Sequence, residues 1–318
     1  MSFSGEVKKE LCKKIAPARH CQIAEITAIL YLCGRIRIDE NDHYSIIVQT
    51  ENVTVARKIY SLVRKTFQAK AVIAVKNGEY LKKTRIYRVA ISNHEDAQRL
   101  LKAAKMMDEY GNVIDDTAVW SRSVLQRNCC KRAFLRGAFL CAGSMSDPEK
   151  NYHFEIVCNG EEKAAQIQKT MQEFGLDAKI ILRKKAYVVY LKESSSIVDT
   201  LSIMEAPVAL MKLENIRILK DMRNSVNRRV NCEAANINKT VTAAQKQIED
   251  IQYIKEAGGF GDLTPNLLAT AELRLKYPDK ALKELGTMLN PPVGKSGVNH
   301  RLRRLSEIAE KLRGKNEV

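Results

Sequence analysis

Near its end the chain gathers Lys295, Ser296, Asn299, His300, Arg301, Arg303 and Arg304, with no acidic residue before Glu307. These residue types are hydrogen-bond donors suited to nucleic acid: arginine fits the guanine edge, asparagine fits adenine, and lysine fits a phosphate. Val298, Leu302, Leu305, Ile308 or Ala309, and Leu312 recur between them at helical spacing. That pattern predicts a helix with one apolar stripe and one basic face, with Ser296 as its N-cap. Such a helix would present its donors to base edges and backbone of double-stranded DNA. A purely structural helical hairpin, or a basic helix that contacts RNA or protein, would read similarly.

Two further basic groups could hold phosphates. Lys76, Lys82, Lys83, Arg85 and Arg88 surround one hairpin expected to turn at Asn77-Gly78, and Lys179, Arg183, Lys184 and Lys185 surround another. A basic rim at a hairpin tip suits backbone contact, and lysines on edge strands equally serve to discourage strand-to-strand association. A segment beginning at Pro207 carries Arg217, Lys220, Arg223, Arg228 and Arg229, with Asp221 the single acid between Arg217 and Cys232. It reads as a basic helical connector, either an arm against the DNA backbone or a solvated helix face.

Composition agrees with an anionic partner. The 318 residues hold 53 Lys and Arg against 37 Asp and Glu, a formal charge of +16, with 45% hydrophobic residues. That is a folded, basic chain of two or three domains rather than a disordered one. No apolar run approaches the roughly 20 residues of a membrane span, and the one tryptophan, Trp120, leaves no basic segment with an interfacial aromatic face. The expectation is a cytoplasmic protein with no membrane contact. Eight cysteines are scattered without a CxxC pair or a histidine at zinc-ligand spacing, so they read as small buried hydrophobes, and neither a metal nor a cofactor is expected.

The basic helix must be positioned by its neighbours. TAAQKQIEDIQYIKEAGG ends at a Gly258-Gly259 stop, LTPNLLATAELRLKYP opens at Pro265 and stops before Pro278, and DKALKELGTML is joined by the short turn NPPV to KSGVNHRLRRLSEIAEKL. The last two have helix-turn-helix spacing, over about residues 280–313.

The first two thirds repeat weakly. AEITAILYLCGRI at 24–36 resembles AFLRGAFLCAGSM at 133–145, with Gly34 and Gly143 109 residues apart. Each copy reads independently as helix, two strands, helix, two strands, helix. The order is an α+β plan, two αββαββα halves at about 20–108 and 128–205. The glycine-ended helices resemble the interface helices of LAGLIDADG homing endonucleases, whose halves form a β-saddle over DNA. Ala28, Gly34, Gly137, Ala138, Ala142 and Gly143 would let two such helices approach closely. In those enzymes an acidic residue before each final glycine holds the divalent metal, and the corresponding positions here are Cys33 and Ala142. Neither is a ligand for a hard cation, while Asp39, Asp42 and Asp147 fall in expected turns.

A catalytically degenerate LAGLIDADG-like tandem (1–206), a basic linker (207–237) and a helical domain (238–318) ending in PPVGKSGVNHRLRRLSEIAEKL together resemble the WhiA family of bacterial regulators. SFSGEVKKEL and NRRVNCEAANINKT are similar to that family too. The resemblance implies a sequence-specific, non-enzymatic DNA-binding protein acting in cell division, chromosome segregation or sporulation-linked transcription, with another transcription or division protein as a further partner. A residual nuclease of homing-endonuclease descent and an RNA-binding scaffold are the alternatives.

Overall fold

A computed structural model of the chain describes residues 2–77, 85–108, 110–114 and 122–316. It comprises two compact units, Met1–Lys220 and Asp221–Val318.

The first unit opens with α1 (Phe3–Lys13), whose Ser2 hydroxyl accepts from the Gly5 amide, and continues as α2 (Arg19–Cys33), β1 (Gly34–Ile38), β2 (Tyr44–Thr50), α3 (Val53–Phe67), β3 (Val72–Asn77), β4 (Arg85–Ile91) and α4 (His94–Ala103). The same order recurs as α5 (Asn128–Ala142), β5 (Gly143–Met145), β6 (Phe154–Cys158), α6 (Glu161–Gln172), β7 (Lys179–Arg183), β8 (Ala186–Leu191) and α7 (Ser194–Met204). Local chemistry sets these boundaries. The Asn52 carboxamide accepts from the Thr54 and Val55 amides to start α3, and Asn93 accepts from the Asp96 amide to start α4. β2, β3, β4 and β6 to β8 are rich in β-branched and aromatic residues, and both sheets are fully antiparallel, ordered β1-β2-β4-β3 and β5-β6-β8-β7. The predicted αββαββα tandem is therefore the observed one. The predicted hairpin turn after Asn77 lies outside the described residues.

Helices α2 and α5 form the centre. Neither is amphipathic: Ala24, Ile26, Ala28 and Ile29 of one and Ala133, Phe134, Leu135, Ala138 and Phe139 of the other are buried around the whole circumference. Small residues set the spacing, because a Cβ built on Gly137 would lie 2.6 Å from the Glu25 carbonyl oxygen and 3.0 Å from Ala28 Cβ. One hydrophobic core runs through both copies.

Beside that contact lies a buried charge network. The Glu25 carboxylate, fully buried, pairs with Arg136 at 3.0 Å and with Lys58 of α3 at 3.1 Å. Arg136 continues to Glu205 at 2.9 Å, which also holds Lys14 at 2.8 Å, and Lys58 donates to the Lys14 carbonyl. Burial pulls the Lys58 ammonium below its ordinary pKa, against the opposing pull of Glu25.

Helix α8 runs unbroken over Pro207–Glu256. The expected connector and the helix after it are one element, since no proline or glycine occurs between Val208 and Ala257 to divide them. Every residue from Asp221 to Ala243 is exposed. The second unit adds a 3₁₀ turn (Gly259–Asp262), α9 (Pro265–Lys276), α10 (Leu282–Met288) and α11 (Lys295–Asn316) around Ile251, Ile254, Ala271, Leu285, Leu289, Val298, Leu302, Leu305 and Ala309. Among the described residues no helix is long and apolar enough to cross a membrane.

Candidate nucleic-acid interfaces

In α11 the predicted stripe is the buried one: Val298, Leu302, Leu305 and Ala309 are at most 1% exposed. Advancing about 100° per residue, the opposite face carries Ser296, His300 and Arg303, with Asn299 and Arg304 on its flanks. Lys295, Ser296, His300, Arg303 and Arg304 are exposed and Asn299 half-buried. The helix begins two residues earlier than a Ser296 cap would give, because the Val298 amide donates to the Gly294 carbonyl. Ser296 thus stands inside the first turn and does not cap it. Two arginines are engaged within the chain. Arg304 pairs with Glu307 at 2.8 Å, and Arg301, on the side of the core, reaches the Asn266 carbonyl and Thr270 hydroxyl of α9 at 3.4 and 3.5 Å.

The hairpin holding α11 is braced by an arginine that the sequence reading did not single out. The buried Arg274 of α9 donates to Gln247 Oε1 at 3.0 and 3.1 Å, to the Lys280 carbonyl at 2.8 Å and to the Pro278 carbonyl at 3.3 Å, fixing the loop that enters α10. Glu284 then accepts from the Ala281 amide. Between α10 and α11, the Val293 amide donates to the Gly286 carbonyl at 2.9 Å, and a side chain at Gly286 would collide with Val293. At the far end of α11 Arg313 pairs at 2.8 Å with Asp250, a buried carboxylate of α8.

Strand register separates the two sheets chemically. Alternation puts Ile46, Val48, Val89 and Ile91 of the first sheet against the helices. Its other face then carries Arg35 and Arg37 of β1, Gln49 of β2, Arg88 of β4 and Lys76 of β3, with Arg35 level with Ile47 and Gln49 level with Arg88. No acidic residue lies on that face among the described residues. Arg35 and Arg37 escaped the sequence reading although the alternation in GRIRI carries the signal. Arg85, singled out there, has the parity of Tyr87 and Val89 and belongs to the helix side, exposed at the strand end.

The second sheet's open face is different. Lys179 and Arg183 share it with exposed Val157 and Ile181 and with Glu155, which accepts from Ser144 at 2.9 Å and pairs with His153 at 3.1 Å. These contacts hold Glu155 below the usual carboxylate range despite its partial burial. Lys184, in a left-handed conformation, and Lys185 form the exposed turn beyond. Lys82 and Lys83 lie outside the described residues. Arg228 and Arg229 project from the exposed stretch of α8.

At the C-terminal ends of α2 and α5, where a hard cation would need carboxylates, stand Cys33 and Ala142. The Cys33 and Cys141 thiols hydrogen-bond to each other, lowering the pKa of Cys33 and, with burial, raising that of Cys141 well above its ordinary value; the Lys8 amine is close by. Asp39 accepts from the Asn41 and His43 amides at 2.9 Å each, and Asp147 from Glu149 at 3.0 Å, so both close turns. The expectation that the cysteines are buried hydrophobes fails for Cys129 and Cys232, which are exposed. Tertiary packing also brings His20 and Cys21 onto Cys129 and Cys130, a meeting that spacing along the chain does not report.

Comparison with known proteins follows this division. Residues 19–107 match the WhiA N-terminal LAGLIDADG-like domain, 131–223 the WhiA LAGLIDADG-like domain, and 226–309 the WhiA C-terminal HTH domain. A probable cell division protein WhiA from Lachnoclostridium phytofermentans is 53% identical over 313 residues, covering 98% of this chain and 100% of that protein. One from Clostridium botulinum is 45% identical over 98% of this chain and 99% of its own. The crystal structure of full-length WhiA from Thermatoga maritima superposes with a TM-score of 0.59 at 26% identity, covering 98% of this chain and 99% of that one. With the tandem αββαββα unit, the helix-turn-helix and near-complete coverage all agreeing, this chain belongs to the WhiA family.

Proposed function

We propose that this chain is a non-enzymatic, sequence-specific binder of double-stranded DNA that acts as a regulator in cell division, with α11 as its reading helix. The observation that carries the reading is the outward face of α11, where Ser296, Asn299, His300 and Arg303 adjoin with no acid in the first three turns while the opposite stripe is buried. A helix anchored in this way lies in a major groove with its N-terminal residues at the base edges. Arg303 and Asn299 contact bases, and Lys295 and Arg304 contact phosphates, Arg304 by leaving Glu307. The first sheet adds backbone contact through Arg35, Arg37, Lys76 and Arg88. The second sheet, with Glu155 and its apolar strip, contributes less through Arg183, Lys184 and Lys185. Relatives named as cell division proteins support the division role; chromosome segregation, sporulation-linked transcription, nucleoid association and a second protein partner are the finer extensions of this reading. Against cleavage stand Cys33 and Ala142, which supply no hard-oxygen ligand.

Crosslinking and sequencing of bound DNA tests this on full-length protein. Arg303→Ala with Asn299→Ala should abolish discrete peaks, since each lost base contact costs about 1–3 kcal/mol. Arg35→Ala with Arg37→Ala should keep the motif and lower affinity evenly, with a shallower salt dependence. Peaks that survive the first pair and vanish with the second would make the sheet the reader and refute the assignment.

A further inference from the structure

The two central helices begin side by side, and their first turns hold an unusual set of side chains. His20 and Cys21 are the second and third residues of α2, and Cys129 and Cys130 are the second and third of α5. His20 Nδ1 lies 3.2 Å from Cys130 Sγ and 3.3 Å from Cys21 Sγ, and the four donor atoms all lie within 4.8 Å of one another. The pairs are related by the repeat: 20 to 129 and 21 to 130 are both steps of 109, the step from Gly34 to Gly143. Each copy therefore sends two donors from equivalent positions to one point between the helices.

We propose that His20, Cys21, Cys129 and Cys130 form a structural zinc site. Three thiolates and one imidazole are a closed tetrahedral zinc set, whereas magnesium, calcium and manganese require oxygen donors. Zinc bonds of about 2.0–2.3 Å give a tetrahedron with edges of roughly 3.5–3.8 Å. The two His20 contacts are already shorter than that edge, and side-chain rotation closes the remainder. Binding releases three thiol protons and leaves one net negative charge, which two helix N-termini and the neighbouring Arg127 favour. Metal on His20 Nδ1 places the ring proton on Nε2, so Arg127 Nη1, now 3.4 Å from that nitrogen, turns away from it. Cys21 and Cys130 are buried and Cys129 is exposed, which gives the ion a route in from solvent. Once bound, zinc fastens the first copy to the second at the end of the helix pair opposite Cys33 and Ala142.

The test uses full-length protein purified under reducing conditions without chelator. Elemental analysis should find about one zinc per chain, lost in Cys129→Ser and in His20→Ala and retained in Cys158→Ser and Cys232→Ser. Because Cys129 is exposed, its variant should keep the wild-type circular dichroism, separating metal loss from misfolding. In the unaltered protein, Co²⁺ exchanged for zinc should show the strong thiolate-to-cobalt charge-transfer and visible bands of tetrahedral coordination. Chelation should lower the wild-type melting temperature and leave that of Cys129→Ser unmoved. Metal-free wild type that gives no tetrahedral Co²⁺ spectrum overturns the proposal, as does a mass shift showing a disulfide among Cys21, Cys129 and Cys130 in the freshly purified reduced protein.

Discussion

Replacing Glu25 by glutamine should destabilise the first unit strongly. It removes the one anion between two buried cations, Lys58 and Arg136, whose side chains are each 1% exposed. Breaking a buried pair by deleting one partner costs about 3–5 kcal/mol. Here Arg136 keeps Glu205 and Lys58 keeps the Lys14 carbonyl, so the expected loss is near the lower end, about 3 kcal/mol at pH 7. For a unit of this size that lowers the melting temperature by roughly 6–12 °C. Arg136→Met should cost less, because Glu25 retains Lys58. The pH dependence carries a sign. Burial sets the folded pKa of Lys58 below the unfolded value of about 10.4, so the unfolded state binds the proton more tightly and stability rises with pH across that interval. Without Glu25 the folded pKa falls further and the interval widens. The deficit of the Glu25→Gln variant should therefore shrink from pH 7 towards pH 10, as Lys58 loses its proton in both folded proteins and Arg136 is left as the buried charge. Calorimetry on the full chain at the two pH values measures this. A deficit that stays constant or grows with pH, or an Arg136→Met variant as destabilised as Glu25→Gln, would refute the account.

Other expectations are narrower. Gly137→Val should destabilise the first unit by about 1–3 kcal/mol, since its Cβ meets the Glu25 backbone. Gly314→Ala, with open space around it, should be neutral or stabilising in the same melts. Arg274→Lys loses the fork that reaches Gln247 and two carbonyls, and should cost the second unit about 2 kcal/mol while reducing binding at all DNA sequences alike, read by denaturation and fluorescence anisotropy. Arg301→Ala and Arg303→Ala should part company: the first lowers stability by about 1 kcal/mol with loss of its α9 contacts, and the second leaves stability unchanged and weakens specific binding about 5- to 150-fold. Equal effects of both on DNA discrimination would remove the distinction drawn from their positions around α11.

Periodicity and punctuation were enough for the local elements. The 3.6-residue recurrence of Val298, Leu302 and Leu305, the β-branched strand runs, and the Gly258 and Pro265 punctuation are encoded within one or two turns of chain. They depend on few neighbours, so they read directly, as did the loss of carboxylates at Cys33 and Ala142. Even there a first-turn boundary shifted. Ser296 has a capping side chain, yet the Gly294 carbonyl opens the helix, a competition that backbone geometry decides.

What local pattern could not supply is whatever arises when distant segments meet. Arg35 and Arg37 face the same side as Arg88 and Lys76, and Arg85 the other, only because β1, β2, β4 and β3 pair in one register; a shift of one residue would exchange the faces. Glu25, Lys58 and Arg136 are ordinary charged residues until three helices close over them. His20 and Cys21 are separated by more than a hundred residues from Cys129 and Cys130, beyond the reach of any ligand-spacing rule, and it is the close helix approach permitted by Gly137 that brings them together. The chain's own order thus determined the repeat, the helical face and the basic balance. Packing decided which of those charges meet and which face solvent, because burial and contact are properties of paired surfaces rather than of residues along a strand.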